Sequence, residues 1–274
     1  MSGEEISLNN SRIGIVGCGH LGQSLAQALI NHGISKQDLM ISFRGNPDTY
    51  QKLADMDLSS CITKTRLIFE KASIVLITTN PQDISGLVGI PICNTQLIVS
   101  CMSGVPIKLL NDIFNTKVHR MMFSGPDTIL SEKGIAAAYP RHEILENLIK
   151  LLKLMYVPID SEEEIDVFTA GVCMPAAVLR LNNLDEAAKA VDRISDEYPL
   201  IKQLFGWAKN VLPEFQSKGQ EEEYIQKMVT SGGITEAIIK SLQSGETFDA
   251  SLRKGLARTK QISLEIQKLV LQQK

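Results

Sequence analysis

An apolar run that breaks into three spaced glycines constrains the fold of this chain more than any other feature. Residues 12–22 read RIGIVGCGHLG, so Ile13, Ile15 and Val16 supply a β-branched strand and Gly17, Gly19 and Gly22 follow at G-x-G-x-x-G spacing. Leu21, Leu25, Ala28 and Leu29 then recur at helical spacing. A strand, a turn and a helix are predicted in that order. In such a unit the first glycine makes the tight turn, the second lets a pyrophosphate approach the backbone, and the third lets helix pack on strand. The bare N–H groups and positive dipole end of the helix suit phosphate. The bland alternative is a glycine-rich turn that binds nothing.

Composition narrows the class. With 274 residues, 44% hydrophobic and 22% charged, the chain is long for one core and natural for two domains. A net charge of −3 leaves no electrostatic footprint for nucleic acid, and no run of about eighteen apolar residues is present to span a bilayer. Cys18, Cys61, Cys93, Cys101 and Cys173 are an odd set without C-x-x-C pairing or a clustered histidine, which argues against a disulfide framework and a metal site. The first ten residues, MSGEEISLNN, are polar and acidic, unlike a secretion signal. A cytoplasmic enzyme with a small-molecule substrate, and neither a nucleic-acid nor a membrane partner, is expected.

Continuous apolar runs at residues 39–43, 74–78 and 96–101 read as further strands, with helical stretches around 48–56 and 106–114. Residues 117–123 and 135–139 look like late strands. This alternation predicts a doubly wound parallel sheet. From about Ser161 the texture turns rich in Ala, Leu, Glu and Lys, opening on a capping-box pattern, Ser161-x-x-Glu164. Ile234, Ala237, Ile238 and Leu242 make one helical apolar face ended by Gly245, and Leu252, Leu256, Ile262, Ile266 and Leu269 make a longer one. These two faces form either the core of a small bundle or a dock for another subunit. The expected fold is α/β, an N-terminal Rossmann-type doubly wound sheet over residues 1–158 and an all-α C-terminal dimerisation domain over residues 159–274, divided near Val157-Pro158.

The candidate chemistry lies at strand ends and one helix start. An acid after the second strand favours the ribose hydroxyls of NAD, a base the extra phosphate of NADP. Ser42, Phe43 and Arg44 stand there with no carboxylate until Asp48, which points to NADP; a solvated Arg44 is the alternative. Thr78, Thr79, Asn80 and Pro81, and Cys101, Met102, Ser103 and Gly104, end the next strands, where ligands sit in such sheets, although both are also ordinary turn formers. In the second domain Ser231, Gly232, Gly233 and Thr235 place hydroxyls and unshielded N–H groups at a helix start able to hold a carboxylate. A plain N-cap is the alternative there.

Taken in order, the segments IGIVGCGHLG, ITTNPQDI, IVSCMSGV, VHRMM, FTAGVCMPAA, VTSGGITEA and SLRKGLART resemble the pyrroline-5-carboxylate reductase family over nearly the whole chain. The resemblance implies a reductase that uses NADPH to deliver hydride to a cyclic imine carboxylate, with the C-terminal helices interlocked in a homodimer. It places Gly17, Cys18, Gly19, His20, Leu21, Gly22, Ser42, Phe43 and Arg44 on the adenosine and phosphates. Pro81 and residues 101–104 would lie along ribose and nicotinamide. Ser231, Gly232, Gly233 and Thr235 would bind the substrate carboxylate and ring nitrogen, Ser231 and Thr235 as the catalytic pair.

The chain departs from the family in its substrate segments. The family's Ser-Gly-Ser-Gly-Pro-Ala-Tyr is here Gly171, Val172, Cys173, Met174, Pro175, Ala176 and Ala177, and Asn80 replaces the lysine before Pro81. The proline of Ser-Pro-Gly-Gly is missing between Ser231 and Gly232. A greasier, roomier site suits a different imine or none. The competing reading is therefore a catalytically altered paralogue that binds NADP(H) in a regulatory role. A deazaflavin-linked oxidoreductase shares the N-terminal domain but lacks the helical tail.

Overall fold

The computed structural model describes Leu8, residues 11–93 and residues 95–272. The reading of the first ten residues lies outside the described residues, Leu8 aside. The apolar runs become β1 (Ile13–Val16), β2 (Leu39–Ser42), β3 (Ile74–Ile77) and β4 (Leu97–Ser100), almost wholly buried, as strands covered on both faces must be. With β5 (Val118–Phe123), β6 (Ile135–Tyr139) and β7 (Met155–Tyr156) they form a seven-stranded sheet in the order β2-β1-β3-β4-β5-β6-β7. β1 lies between β2 and β3, so the crossover from β1 runs one way along the sheet and that from β3 the other, which in such sheets opens a crevice at the carboxyl ends of β1 and β3.

The expected all-parallel sheet is corrected at one pair. β5 and β6 run antiparallel, with Arg120 opposite Tyr139 and Phe123 opposite Ala136. Their link, residues 124–134, is shorter than the dozen or more residues a parallel crossover needs.

The sheet is dressed by α1 (His20–Asn31), α2 (Pro47–Asp55), α3 (Thr65–Lys71), α4 (Ile107–Phe114), α5 (Pro126–Leu130) and α6 (Glu143–Leu151). Ile13, Ile15, Leu25, Leu29, Ile41 and Leu76 join one apolar core. α3 presses directly on β1, since a Cβ on Gly14 would stand 2.1 Å from Ile68 Cγ2. Asn46 caps α2, its Oδ1 accepting from the Asp48 amide at 2.8 Å, with Pro47 at the first helical position.

Residues up to Glu162, with those from Glu265 onward, make one compact unit, and Glu163–Leu264 the other. The second unit is helical, from α7 (Glu162–Gly171), which starts directly after Ser161, through α8 (Met174–Leu181), α9 (Leu184–Ser195), α10 (Leu200–Asn210), α11 (Lys218–Met228) and α12 (Ile234–Gln243) into α13 (Phe248–Leu271). α8 is its hub, packing on α9, α10, α11 and α12. Ile234, Ile238 and Ile239 of α12 are buried, with Ala237 and Leu242 half-buried, and Gly245 follows in the left-handed region. A Cβ on Gly255 would stand 2.7 Å from Ile238 Cδ1, so α13 lies hard against α12. No helix among the described residues is long and apolar enough to cross a membrane.

Candidate functional site

The three glycines of the turn answer to different demands. Gly17 has φ +93°, and a Cβ there would lie 2.8 Å from the Thr79 amide nitrogen. At Gly22 a Cβ would meet the Gly17 carbonyl oxygen at 2.3 Å. Both are required by the protein's own packing. Gly19 is different: its φ of −72° is open to any residue, and a Cβ there meets no atom within 4 Å. No internal contact calls for glycine at Gly19, which begins α1 without a side-chain cap or an acid in the first turn. Such a bare helix start beside open space fits a pyrophosphate approaching the backbone.

Hydrogen bonds draw the surrounding strand ends to this turn. The Gly17 amide donates to the Ser42 carbonyl at 2.9 Å, and the Thr78 hydroxyl donates to the Gly17 carbonyl and, at 3.3 Å, to that of Val16. His20 and Gly19 are exposed at the mouth, and Leu21 and Phe43 pack partly on the core. Cys18 is buried, its thiol pushed up to about 12 by desolvation, while its carbonyl accepts from Gln23 Nε2 at 2.9 Å. Ser42 is turned inward too, its Oγ accepting from Thr65 Oγ1 at 3.0 Å. Asn80 is exposed, and Pro81 opens a 3-10 turn (Pro81–Leu87). Cys101 and Met102 are buried; burial pushes the Cys101 thiol up to about 12, and Met102 Sδ accepts from Thr79 Oγ1 at 3.6 Å. Gly104 follows at φ +70°. The structure therefore gathers backbone from residues 17–22 with Thr78, Thr79 and Pro81, whereas the side chains of Cys18, Ser42, Cys101 and Met102 face the core.

Two features were not anticipated. Arg44, with no acid nearby in sequence, is ion-paired with Asp83 of the turn after β3, Nη2 to Oδ2 2.5 Å. Arg120 is buried in β5, and its Nη1 donates to Glu162 Oε1 at 3.1 Å; the same oxygen accepts from the Ile107 amide at the start of α4 at 2.7 Å. Neither contact has a sequence signal, since both join positions dozens of residues apart.

In the second unit the helix start is already partly occupied by the chain itself. Gly232, at φ +70°, donates its amide to Glu236 Oε2 at 2.9 Å, and its carbonyl accepts from Arg258 Nε at 2.8 Å. Lys240 and the Gly232 amide hold the Glu236 carboxyl below the usual carboxylate range. The Gly233 amide donates to the Thr230 carbonyl at 2.8 Å, and Ser231 is exposed. Thr235 Oγ1 donates to Cys173 Sγ at 3.1 Å, and Cys173 Sγ in turn to the Thr169 carbonyl at 3.4 Å. Burial raises the Cys173 thiol to about 11 despite the Thr235 hydrogen bond. Met174 and Ala177 beside it are fully buried. All five cysteines are free thiols, and Cys93 alone is exposed, its Sγ 3.2 Å from Thr95 Oγ1 with a pKa drawn down by that partner. Among the described residues no group of three or more His, Cys, Asp or Glu is arranged to hold a metal ion.

Residues 12–104 match a protein-family model described as NADP oxidoreductase coenzyme F420-dependent. Pyrroline-5-carboxylate reductase 2 of Bacillus subtilis is 25% identical over 271 residues, 93% of this chain and 95% of that protein. Among solved structures, Plasmodium falciparum pyrroline carboxylate reductase with NADP bound matches at TM-score 0.59 and 20% identity, covering 94% of this chain and 100% of that one. The Coxiella burnetii pyrroline-5-carboxylate reductase matches at 0.56 and 19%, covering 93% and 99%. Fold, turn and relatives together support an oxidoreductase that works with a nicotinamide nucleotide. More narrowly, the chain is similar in sequence over nearly its whole length to a pyrroline-5-carboxylate reductase, and it shares the fold of two solved ones.

Proposed function

We propose that the chain is an NADPH-dependent reductase that transfers hydride to a cyclic imine carboxylate, 1-pyrroline-5-carboxylate or a related imine, to give the secondary amine. The observation that carries this reading is Gly19, whose lack of a side chain answers to nothing inside the protein and leaves a bare helix start open. The name of the full-length Bacillus subtilis relative supports the substrate class. Bound reduced nicotinamide supplies the hydride.

The chain's own residues position the reactants. Residues 17–22 hold the phosphates through backbone amides, Phe43 and Arg44 flank the adenosine beside the backbone of Ser42, and Thr78, Thr79, Asn80, Pro81 and Gly104 line ribose and nicotinamide with the backbone of Cys101 and Met102. Ser231, Gly232, Gly233 and Thr235 take the substrate carboxylate and ring nitrogen. A protonated imine is already electrophilic, so orientation suffices and no catalytic His or Asp is demanded. A two-domain division at residue 158, a homodimer through the C-terminal helices and a cytoplasmic location belong to the same reading.

The test is NADPH oxidation by purified protein in the presence of 1-pyrroline-5-carboxylate, with Thr235→Ala raising KM. Binding of NADPH without turnover of any cyclic imine rejects the enzyme reading. It would favour instead the altered paralogue, for which the engagement of Thr235 by Cys173 and of Gly232 by Glu236 is the specific support. Growth of a proline-requiring strain on this gene disposes of that second reading.

A further inference from the structure

We propose that Arg44 and Asp83 form a two-way selector for the nucleotide, Arg44 taking a 2′-phosphate and Asp83 accepting a ribose 2′-hydroxyl, so that the contact between them limits the preference for NADPH over NADH. This rests on the reading of the turn as a nicotinamide-nucleotide site. In sheets of this kind an acid at the end of the second strand serves the ribose of NAD, and a base there serves the phosphate of NADP. Here the base stands at the end of β2 and the acid arrives from the turn after β3, in contact with it at 2.5 Å.

The two loops meet at the glycine turn. The Gly17 amide donates to the carbonyl of Ser42, two residues before Arg44, and Thr78 and Thr79, which touch Gly17, lead into the turn that carries Asp83. The Arg44 side chain is 79% exposed and that of Asp83 21%, so both reach solvent beside the turn. A 2′-phosphate carries close to two negative charges. Arg44 attracts it, and Asp83 at contact distance opposes it while spending part of the Arg44 hydrogen-bonding capacity. A 2′-hydroxyl meets no such opposition, because an ionised carboxylate accepts its hydrogen.

The experiment measures Kd for NADPH and for NADH, by nucleotide fluorescence on the full chain, for the wild type, Asp83→Asn and Arg44→Ala. The wild type is expected to bind both within about tenfold of each other, because each charge offsets the other. Asp83→Asn removes the repulsion and the better acceptor, so NADPH tightens and NADH weakens, moving their ratio about tenfold. Arg44→Ala moves the ratio the other way by a similar factor. Arg44 is exposed and Asp83→Asn keeps the shape of the side chain, so both variants melt with the wild type. If the wild type binds and Asp83→Asn leaves the ratio within twofold, or weakens both nucleotides alike, the selector is overturned while the nucleotide site stands. If the wild type binds neither nucleotide, both fall together.

Discussion

The glycine turn after β1 and the glycine pair before α12 look alike in sequence and differ in what surrounds them. At the first, Gly17 and Gly22 are used up by packing, and Gly19 is left facing empty space on an uncapped helix. At the second, Gly232 donates to Glu236, Gly233 donates to Thr230, and the neighbouring Thr235 hydroxyl is given to Cys173. One helix start is held open, and the other is largely closed by its own chain. Glycine spacing alone therefore does not identify a ligand site; what decides is whether a Cβ or a side chain of the protein already fills the place.

The largest expected effect breaks the first region outright. Gly22→Ala sets a methyl 2.3 Å from a carbonyl oxygen, and overpacking of this kind costs about 1–3 kcal/mol. The melting temperature falls and nucleotide binding is lost with it. Gly19→Ala separates the two demands: the protein melts as the wild type, yet NADPH affinity drops by at least about tenfold, the loss of roughly one good contact. Unchanged affinity in Gly19→Ala would remove the distinction drawn between the two regions.

Smaller effects sharpen the second region. Cys173→Ser gives Thr235 an oxygen acceptor in place of sulfur, and is expected to shift KM for the imine a few-fold with kcat little changed, the pattern of altered ground-state binding. The smallest effect belongs to Glu236→Gln. The Glu236 carboxyl is held low in the folded chain, so its stabilisation is present above its unfolded value of about 4.3 and fades as pH falls through the folded one. The melting difference between wild type and Glu236→Gln should therefore be measurable at neutral pH and vanish toward pH 3. A difference that persists in acid excludes the carboxylate as its cause.

How much of this was legible beforehand depends on the range of each interaction. β1 to β4 were readable because a strand covered on both faces is an unbroken apolar run, and the turn because its glycines fall within six residues. β6 was placed correctly but its direction was not, since orientation follows from the length of residues 124–134 and not from the Ala-rich strand. α3, α5 and β7 are too short for periodicity to register. In the sites, the partners of Arg44 and Thr235 stand 39 and 62 residues away, and nothing local in Asp83 or Cys173 announces them.

The cysteines carry a practical corollary. Thiolate, not thiol, attacks electrophiles. Cys18, Cys61 and Cys101 are buried with thiols pushed up by desolvation, and the half-buried Cys173 is raised to about 11, whereas Cys93 is open and more acidic than usual. A maleimide dye should therefore tag this protein at one address without any engineered residue, leaving the strand ends around the glycine turn untouched.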